Sequence, residues 1–228
     1  DVTAYAHDYS DKNLTVISQR GNSNYIYSDI HGDDTDNNVV GISQRGSDND
    51  VYLFIDEDSN RNAVGVSQRG DDNESDIEIY NDASDNVVVV SQAGEDNESE
   101  VIVNDDSNRN AIGVSQGGSD NYSFVEVQDD SNGNIIGVSQ RGSDNDSDIE
   151  MDDDSNRNAV GVSQAGSYNQ AAADTYGGSD RNALGVSQRG SDNETNLEIF
   201  GSSNRNLAVS SQRGSANEAG IAVWNGSD

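Results

Sequence analysis

The residues with the most evident chemical reach are carboxylates. Asp56-x-Asp58-x-Asn60 and Asp152-x-Asp154-x-Asn156 repeat the one-three-five spacing that opens a calcium-binding loop. Such a loop also needs Gly at position six and Glu at position twelve. Arg61 or Arg157 and Ser67 or Ser163 stand there instead. Asp56, Asp58, Asp152 and Asp154 therefore read as solvated turns, candidates only for loose binding of Ca2+ or other cations along acidic columns. His7 and His31 fall in different repeats, no Cys is present, and no Ser sits in a nucleophile-elbow motif. Carboxylate pairs abound, but on an open face rather than in a pocket that would separate their pKa values. The expectation is a protein that is not an enzyme and requires no cofactor.

Composition narrows the partners. The 228 residues carry 43 Asp and Glu against 12 Lys and Arg, a net charge of −31. Nucleic acid and anionic membrane surfaces both demand surplus positive charge, so neither is an expected partner. No apolar run approaches the roughly 20 residues of a membrane span, and without Cys there is no disulfide framework. Leu, Ile, Val and Phe number 44 of 228, a fraction typical of disordered chains. Composition alone does not separate such a chain from a repeat protein with a thin core; the order of the residues does.

Gln recurs at 19, 44, 68, 92, 116, 140, 164, 188 and 212, a spacing of 25 once and 24 thereafter. Asn stands six residues before each Gln, as at Asn62, Asn86 and Asn110. Gly stands two after, as at Gly70 and Gly94, and Asn five after, as at Asn73, Asn97 and Asn121. The unit Asn-x5-Gln-x-Gly-x2-Asn occurs nine times, so one repeat architecture covers residues 13–228.

Within a unit the period is two. Asn62, Val64, Val66 and Gln68 alternate with Ala, Gly and Ser, and after Gly70-Asp-Asp the set Asn73, Ser75, Ile77, Ile79 alternates with Glu, Asp, Glu and Tyr. That pattern predicts two strands joined by a Gly-x-x turn, with Asp/Ser/Asn/Arg clusters such as Asp58 to Arg61 joining the repeats. A strand–turn–strand unit this short cannot bury its own inner face. Stacking does so, which predicts an all-β β-solenoid of nine rungs with two facing parallel sheets. Val and Ile then form a dry centre. The stacked Gln and Asn, from Gln19 to Gln212 and at Asn62, Asn73 and their equivalents, bond rung to rung. The complete absence of Pro fits strands that all need their N–H.

These residues resemble the curli subunits, the functional amyloid of bacterial biofilm matrix, which carry Ser-x5-Gln-x-Gly-x-x-Asn followed by a second strand ending in Gln. Asn86-Val-Val-Val-Val-Ser-Gln92-Ala-Gly94-Glu-Asp-Asn97 matches that spacing from Gln to Asn. The first position is Asn rather than Ser, and the second strand ends in a mixed column (Glu57, Asn81, Asp105, Asp129, Asp153, Gly201). The resemblance implies a secreted, extracellular fibre subunit whose partners are itself, a nucleating subunit and a secretion pore.

Residues 1–12 align with a second strand and its turn, placing Lys12 in the column of Arg61. The chain is thus expected to start with half a rung, exposing Val2, Ala4 and Ala6 at one end and Ile221, Val223 and Trp224 at the other. Unpaired edges of this kind template further strands. Their contact is heterologous and open, which generates a filament of about 43 Å per nine-rung subunit. The half-rung is expected to lie on a neighbour's last second strand, with folding back as a partial cover as its alternative. The flat Ala/Gly/Ser face of the first strands suits lateral pairing. Stacked carboxylates repel by about 0.9 kcal/mol per pair in water, so the expected setting is salt-rich. The competing expectation is a monomeric solenoid of adhesin type that binds Ca2+, glycan or ice on one flat face.

Overall fold

The computed structural model describes residues 2–6, by their main chain, and 12–224. Among these residues there is no helix. The chain winds as a β-solenoid, each rung consisting of a first strand, a second segment and a return turn. Nine first strands of nine residues each, from Leu14–Asn22 and Val39–Ser47 to Leu207–Ser215, form a single parallel sheet in chain order. The register is one whole repeat, so that Gln68 pairs with Gln92 and Gly70 with Gly94. Alternation does the sorting. Val64 and Val66 are buried while Ala63, Gly65 and Ser67 face outward, and the β-branched residues fill the pleat on the inner side.

The first strand continues through Gly70 to Asp71, and the left-handed corner falls on Asp72, the last residue of the Gly-x-x turn, at φ +54°. Gly70 is needed for another reason. At φ +126° a Cβ on it would lie 1.9 Å from the Gly94 carbonyl oxygen, a distance no side chain tolerates. Asp58 (φ +56°) and Arg61 (φ +60°) make two further left-handed corners around the return turn. Asp and Asn reach this region at the least steric cost among residues with a side chain, which accounts for their abundance at the corners.

The second face is less regular. Val2–Ala6, Tyr25–Ile30, Asp50–Ile55 and Glu74–Ile77 form one parallel sheet, and Gln170–Ala171, Glu194–Asn196 and Glu218–Gly220 form another. Between them, residues 98–104, 122–128 and 146–152 contain no strand. Their inward side chains Val101, Val103, Val125, Val127, Ile149 and Met151 are nonetheless fully buried. What changes is the direction of the ladder. Tyr122 and Phe124 donate to the following rung, to Asn145 and Ser147 carbonyls at 3.0 and 3.3 Å. Glu126 and Gln128 donate back to Val101 and Val103, both at 3.1 Å. The reversal places Val103 at φ +119° and Val127 at φ +134°, conformations that β-branched residues rarely adopt.

The single 25-residue spacing is absorbed in one place. Tyr25–Ile30 lies 25 residues before its partners in Asp50–Ile55, whereas the left-handed corner Asp34 precedes its equivalent Asp58 by 24. The extra residue therefore lies in the first return turn, where Gly32 takes φ +112°. Val2–Ala6 pairs in parallel with Ile26–Ile30 of its own chain.

Candidate functional site: ladders, faces and end rungs

The Gln column forms an unbroken side-chain ladder. Each Nε2 donates to the Oε1 of the next rung, from Gln19 to Gln44 (2.8 Å), Gln68 to Gln92 (3.0 Å), Gln116 to Gln140 (3.0 Å) and Gln188 to Gln212 (2.9 Å). Gln44–Gln68, Gln92–Gln116, Gln140–Gln164 and Gln164–Gln188 complete it. Each of these amides from Gln44 onward also donates within its rung to the carbonyl of the Asn five residues on, as Gln68 does to Asn73 at 3.0 Å. The corner Asn column is the second amide ladder. Asn73 Nδ2 donates to Asn49 Oδ1, Asn97 to Asn73 and Asn121 to Asn97, at 2.8–2.9 Å. Each also caps the glycine carbonyl of the next rung, as Asn73 does to Gly94 at 3.0 Å.

Asn62, Asn86 and Asn110 behave differently from a simple amide stack. Their Oδ1 atoms accept the main-chain N–H of the next Asn in the column, at 2.9, 2.8 and 2.9 Å. Their Nδ2 atoms donate to the Ala83, Ser107 and Ser131 carbonyls. This column therefore staples the first strand to the return turn. The partner is the backbone because the side chain here points across the rung at an edge whose N–H would otherwise be orphaned.

One column was not visible as a site in the sequence. Thr35, Ser59, Ala83, Ser107, Ser131, Ser155, Ser179 and Ser203 are all fully buried in the return turn. Ser131 Oγ accepts the Ser155 N–H at 2.9 Å and donates to the Asp152 carbonyl, and Ser203 Oγ donates to the Trp224 carbonyl at 2.7 Å. Its signal was the restriction to Ser, Thr and Ala three residues before each Asn, inside a cluster that otherwise reads as solvated.

The outward surface of the second face gathers carboxylates. Burial, then Glu78, Glu100 and Glu74, push Asp76 up to about 6, and burial with Glu150 and Asp148 pushes Asp174 up to about 6. Asp50, Glu74, Glu100, Glu126, Asp146 and Asp148 are also raised, burial being the first cause in each. Tyr176 donates to Glu150 at 2.9 Å. Rings break the acidic column. Tyr25 lies against Tyr52, Tyr27 against Phe54, and Tyr176, Phe200 and Trp224 form a stack with centroids 5.1 and 5.4 Å apart.

The calcium candidates do not converge. Asp56 Oδ1 faces His31 Nδ1 at 2.9 Å and accepts the Glu57 N–H, while Asp152 Oδ1 accepts the Asp153 N–H. Asp58 and Asp154 occupy left-handed corners. Among the described residues no three Asp, Glu or His side chains are grouped as a metal ion would need.

The cationic residues divide into two columns. Arg20, Arg45, Arg69, Arg141, Arg189 and Arg213 stand exposed on the first face, beside the Ala/Gly/Ser surface. Arg61, Arg109, Arg157, Arg181 and Arg205 follow the return turn. Arg61 grips Asp85 with Nε and Nη2 at 2.7 and 2.9 Å, and this holds the Asp85 carboxyl below its ordinary range.

At the end rungs the covering is thinner. Ile17, Ile221 and Val223 are only partly buried, whereas Ile77 and Ile79 are fully buried; Gln212 is 8% exposed against 1% for Gln44. Trp224 is 67% exposed. Val2, Ala4 and Ala6 belong to the half-rung strand, and their side chains lie outside the described residues. No family model matches the chain, and no curated protein matches it.

Proposed function

We propose that this chain is a secreted structural subunit that polymerises end to end into curli-like amyloid fibres of an extracellular matrix, in a salt-rich setting and without enzymatic activity. The observation that carries the reading is the continuity of the ladders. Each internal rung offers its neighbour the same Gln amide, the same Asn amide and the same main-chain edge. A second copy stacked on Leu207–Ser215 would therefore meet the acceptors and donors that the chain already offers itself. Partly exposed Ile17, Ile221 and Val223 add apolar surface to that contact. The Gln-x-Gly-x-x-Asn core extends the reading to a nucleating subunit and a secretion pore as partners. The charge of −31 and the raised carboxylates support the salt requirement, because screening shortens to about 3 Å at 1 M salt.

Negative-stain electron microscopy of the purified chain in high and in low salt tests this. Unbranched fibres that form without a cofactor, and faster in high salt or Ca2+, are expected. A lasting monodisperse monomer in both buffers overturns the polymerisation, and faster assembly in deionised buffer overturns the salt dependence.

A further inference from the structure

The return-turn column of Lys12, Asn37, Arg61, Asp85, Arg109, Gly133, Arg157, Arg181 and Arg205 contains an internal comparison. In its first half a carboxylate stands between two guanidinium groups. Asp85 lies between the rungs of Arg61 and Arg109, accepts both bonds from Arg61, and is held in its ionised form by Arg61 and then Arg109. Two rungs further on the arrangement recurs with one part missing. Arg109 and Arg157 flank Gly133, which has no side chain to offer them. Neither guanidinium has an ion pair among the described residues. The place is concave, lined by Arg109, Asn132, Gly133, Asn156, Arg157 and Asp180. Its one carboxylate, Asp180, is engaged by the Asn156 N–H at 3.0 Å.

We infer that the notch at Gly133 is a carboxylate-binding site, in which an external carboxylate takes the position between Arg109 and Arg157 that Asp85 fills between Arg61 and Arg109. Guanidinium is suited to the task, since its planar fork donates two parallel bonds to one carboxylate. The rest of the chain repels anions, so background binding elsewhere is low. The site is open to solvent, and its affinity is correspondingly modest, with a Kd of about 1 mM or weaker. The carboxylate has two sources: a small acid such as a uronate, or an Asp or Glu of a second copy of this chain.

Saturation-transfer NMR with acetate and glucuronate tests the site on monomer or fibre alike, so its outcome does not depend on the proposed polymerisation. Neutral methyl glucoside serves as the comparison ligand. Glucuronate and acetate signals are expected for the wild type. They should fall roughly fivefold or more in R109Q, R157Q and G133D and stay unchanged in R205Q, because the first three remove or fill the notch. Gly133→Asp suits the backbone, since Gly133 (φ +70°) and Asp85 (φ +62°) share a conformation, and an added Cβ meets only Arg157 Cγ at 3.7 Å. If no added acid binds but G133D lowers self-association in sedimentation, the occupant is a carboxylate of a second copy. Signal retained in G133D, an equal loss in R205Q, or neither ligand binding nor any change in self-association overturns the inference.

Discussion

The two faces of the solenoid are built from the same 24-residue count and reach different degrees of order. On the first face nine equal strands pair in one register from Leu14 to Ser215, and the residues turned outward are Ala, Gly, Ser and Val, with Leu14, Ile135 and Leu207 among them and a border of Arg. On the second face strands form only toward the two ends, and within residues 122–128 the ladder reverses direction. The inward side chains are equally buried on both. Apolar burial therefore does not set the difference. The outer sides also carry different loads, although like charges do pair inside intact strands, as Glu194 with Glu218 and Asp50 with Glu74. Small neutral residues stack without penalty, whereas Glu98 over Glu74, or Glu100 over Asp76, brings like charges within a rung of each other.

The largest effect is expected where the first face is tightest. Gly118→Ala places a Cβ 1.9 Å from the Gly142 carbonyl oxygen at φ +119°, and should cost more than about 4 kcal/mol or abolish folding. Gly113→Ala, whose Cβ would meet nothing within 4 Å, should lie within about 0.5 kcal/mol of wild type. Urea unfolding of the pair decides; similar midpoints would mean the glycine contact carries no constraint. Next comes Gln116→Ala. It opens a fully buried ladder and takes from Gln140 Oε1 the amide that donates to it, while Gln92 keeps the Asn97 carbonyl and Asn121 keeps the Glu98 N–H, a loss of about 3 kcal/mol.

Hydrogen exchange compares the faces directly. Amides of Ala111–Ser119 should exchange about a hundredfold more slowly than those of residues 122–128 in the same rung. Equal protection would place the two faces in a single cooperative unit.

The smallest effect is the pH dependence, and its sign is unusual. Asp76 and Asp174 have folded pKa values near 6, above their ordinary 3.8, so the native state holds more protons than the unfolded chain between those values. Their ionisation therefore destabilises the fold. The penalty is absent below about pH 4 and fully present above about pH 6, and reaches about 1 kcal/mol per group after allowing for solvent at half-exposed sites. Urea midpoints should rise as pH falls from 7.5 to 4.5, and D76N/D174N should flatten the trend. A midpoint that drops between pH 7.5 and 4.5 would overturn the raised carboxylates of the acidic face, because the Arg61–Asp85 pair, with Asp85 held below 3.8, is lost only at more acid pH.

The solenoid, its rung count and its inward columns were legible because each depends on a period, and a period survives in sequence whatever the backbone does between. Gln68 and Asn73 announce their ladders by identity alone. The remainder depends on dihedral choices that residue types do not encode. Val127 reads as an ordinary strand residue, yet sits at φ +134° because the ladder turns over there. Asn62 repeats as faithfully as Asn73, but its Oδ1 takes a main-chain N–H rather than an amide. Ser131 carried a legible restriction to small residues, hidden by the polar cluster of Asp129, Asp130 and Asn132 around it. Within the Gly-x-x turn, residue type did not tell which position makes the left-handed corner, Asp72, and which the close main-chain contact, Gly70.

The first return turn holds one residue more than the others, at Gly32, and neither face shifts register on its account. Length in this molecule is thus quantised along the strands and free at one edge. On the first face whole repeats can be duplicated or deleted without shifting its register, and the one extra residue of this chain sits at a return turn. Those turns line up one above another at a fixed rise of about 4.8 Å. Any segment inserted there would be displayed as an evenly spaced row along the solenoid, which makes this edge the place where such a protein can diversify what it presents while keeping how it is built.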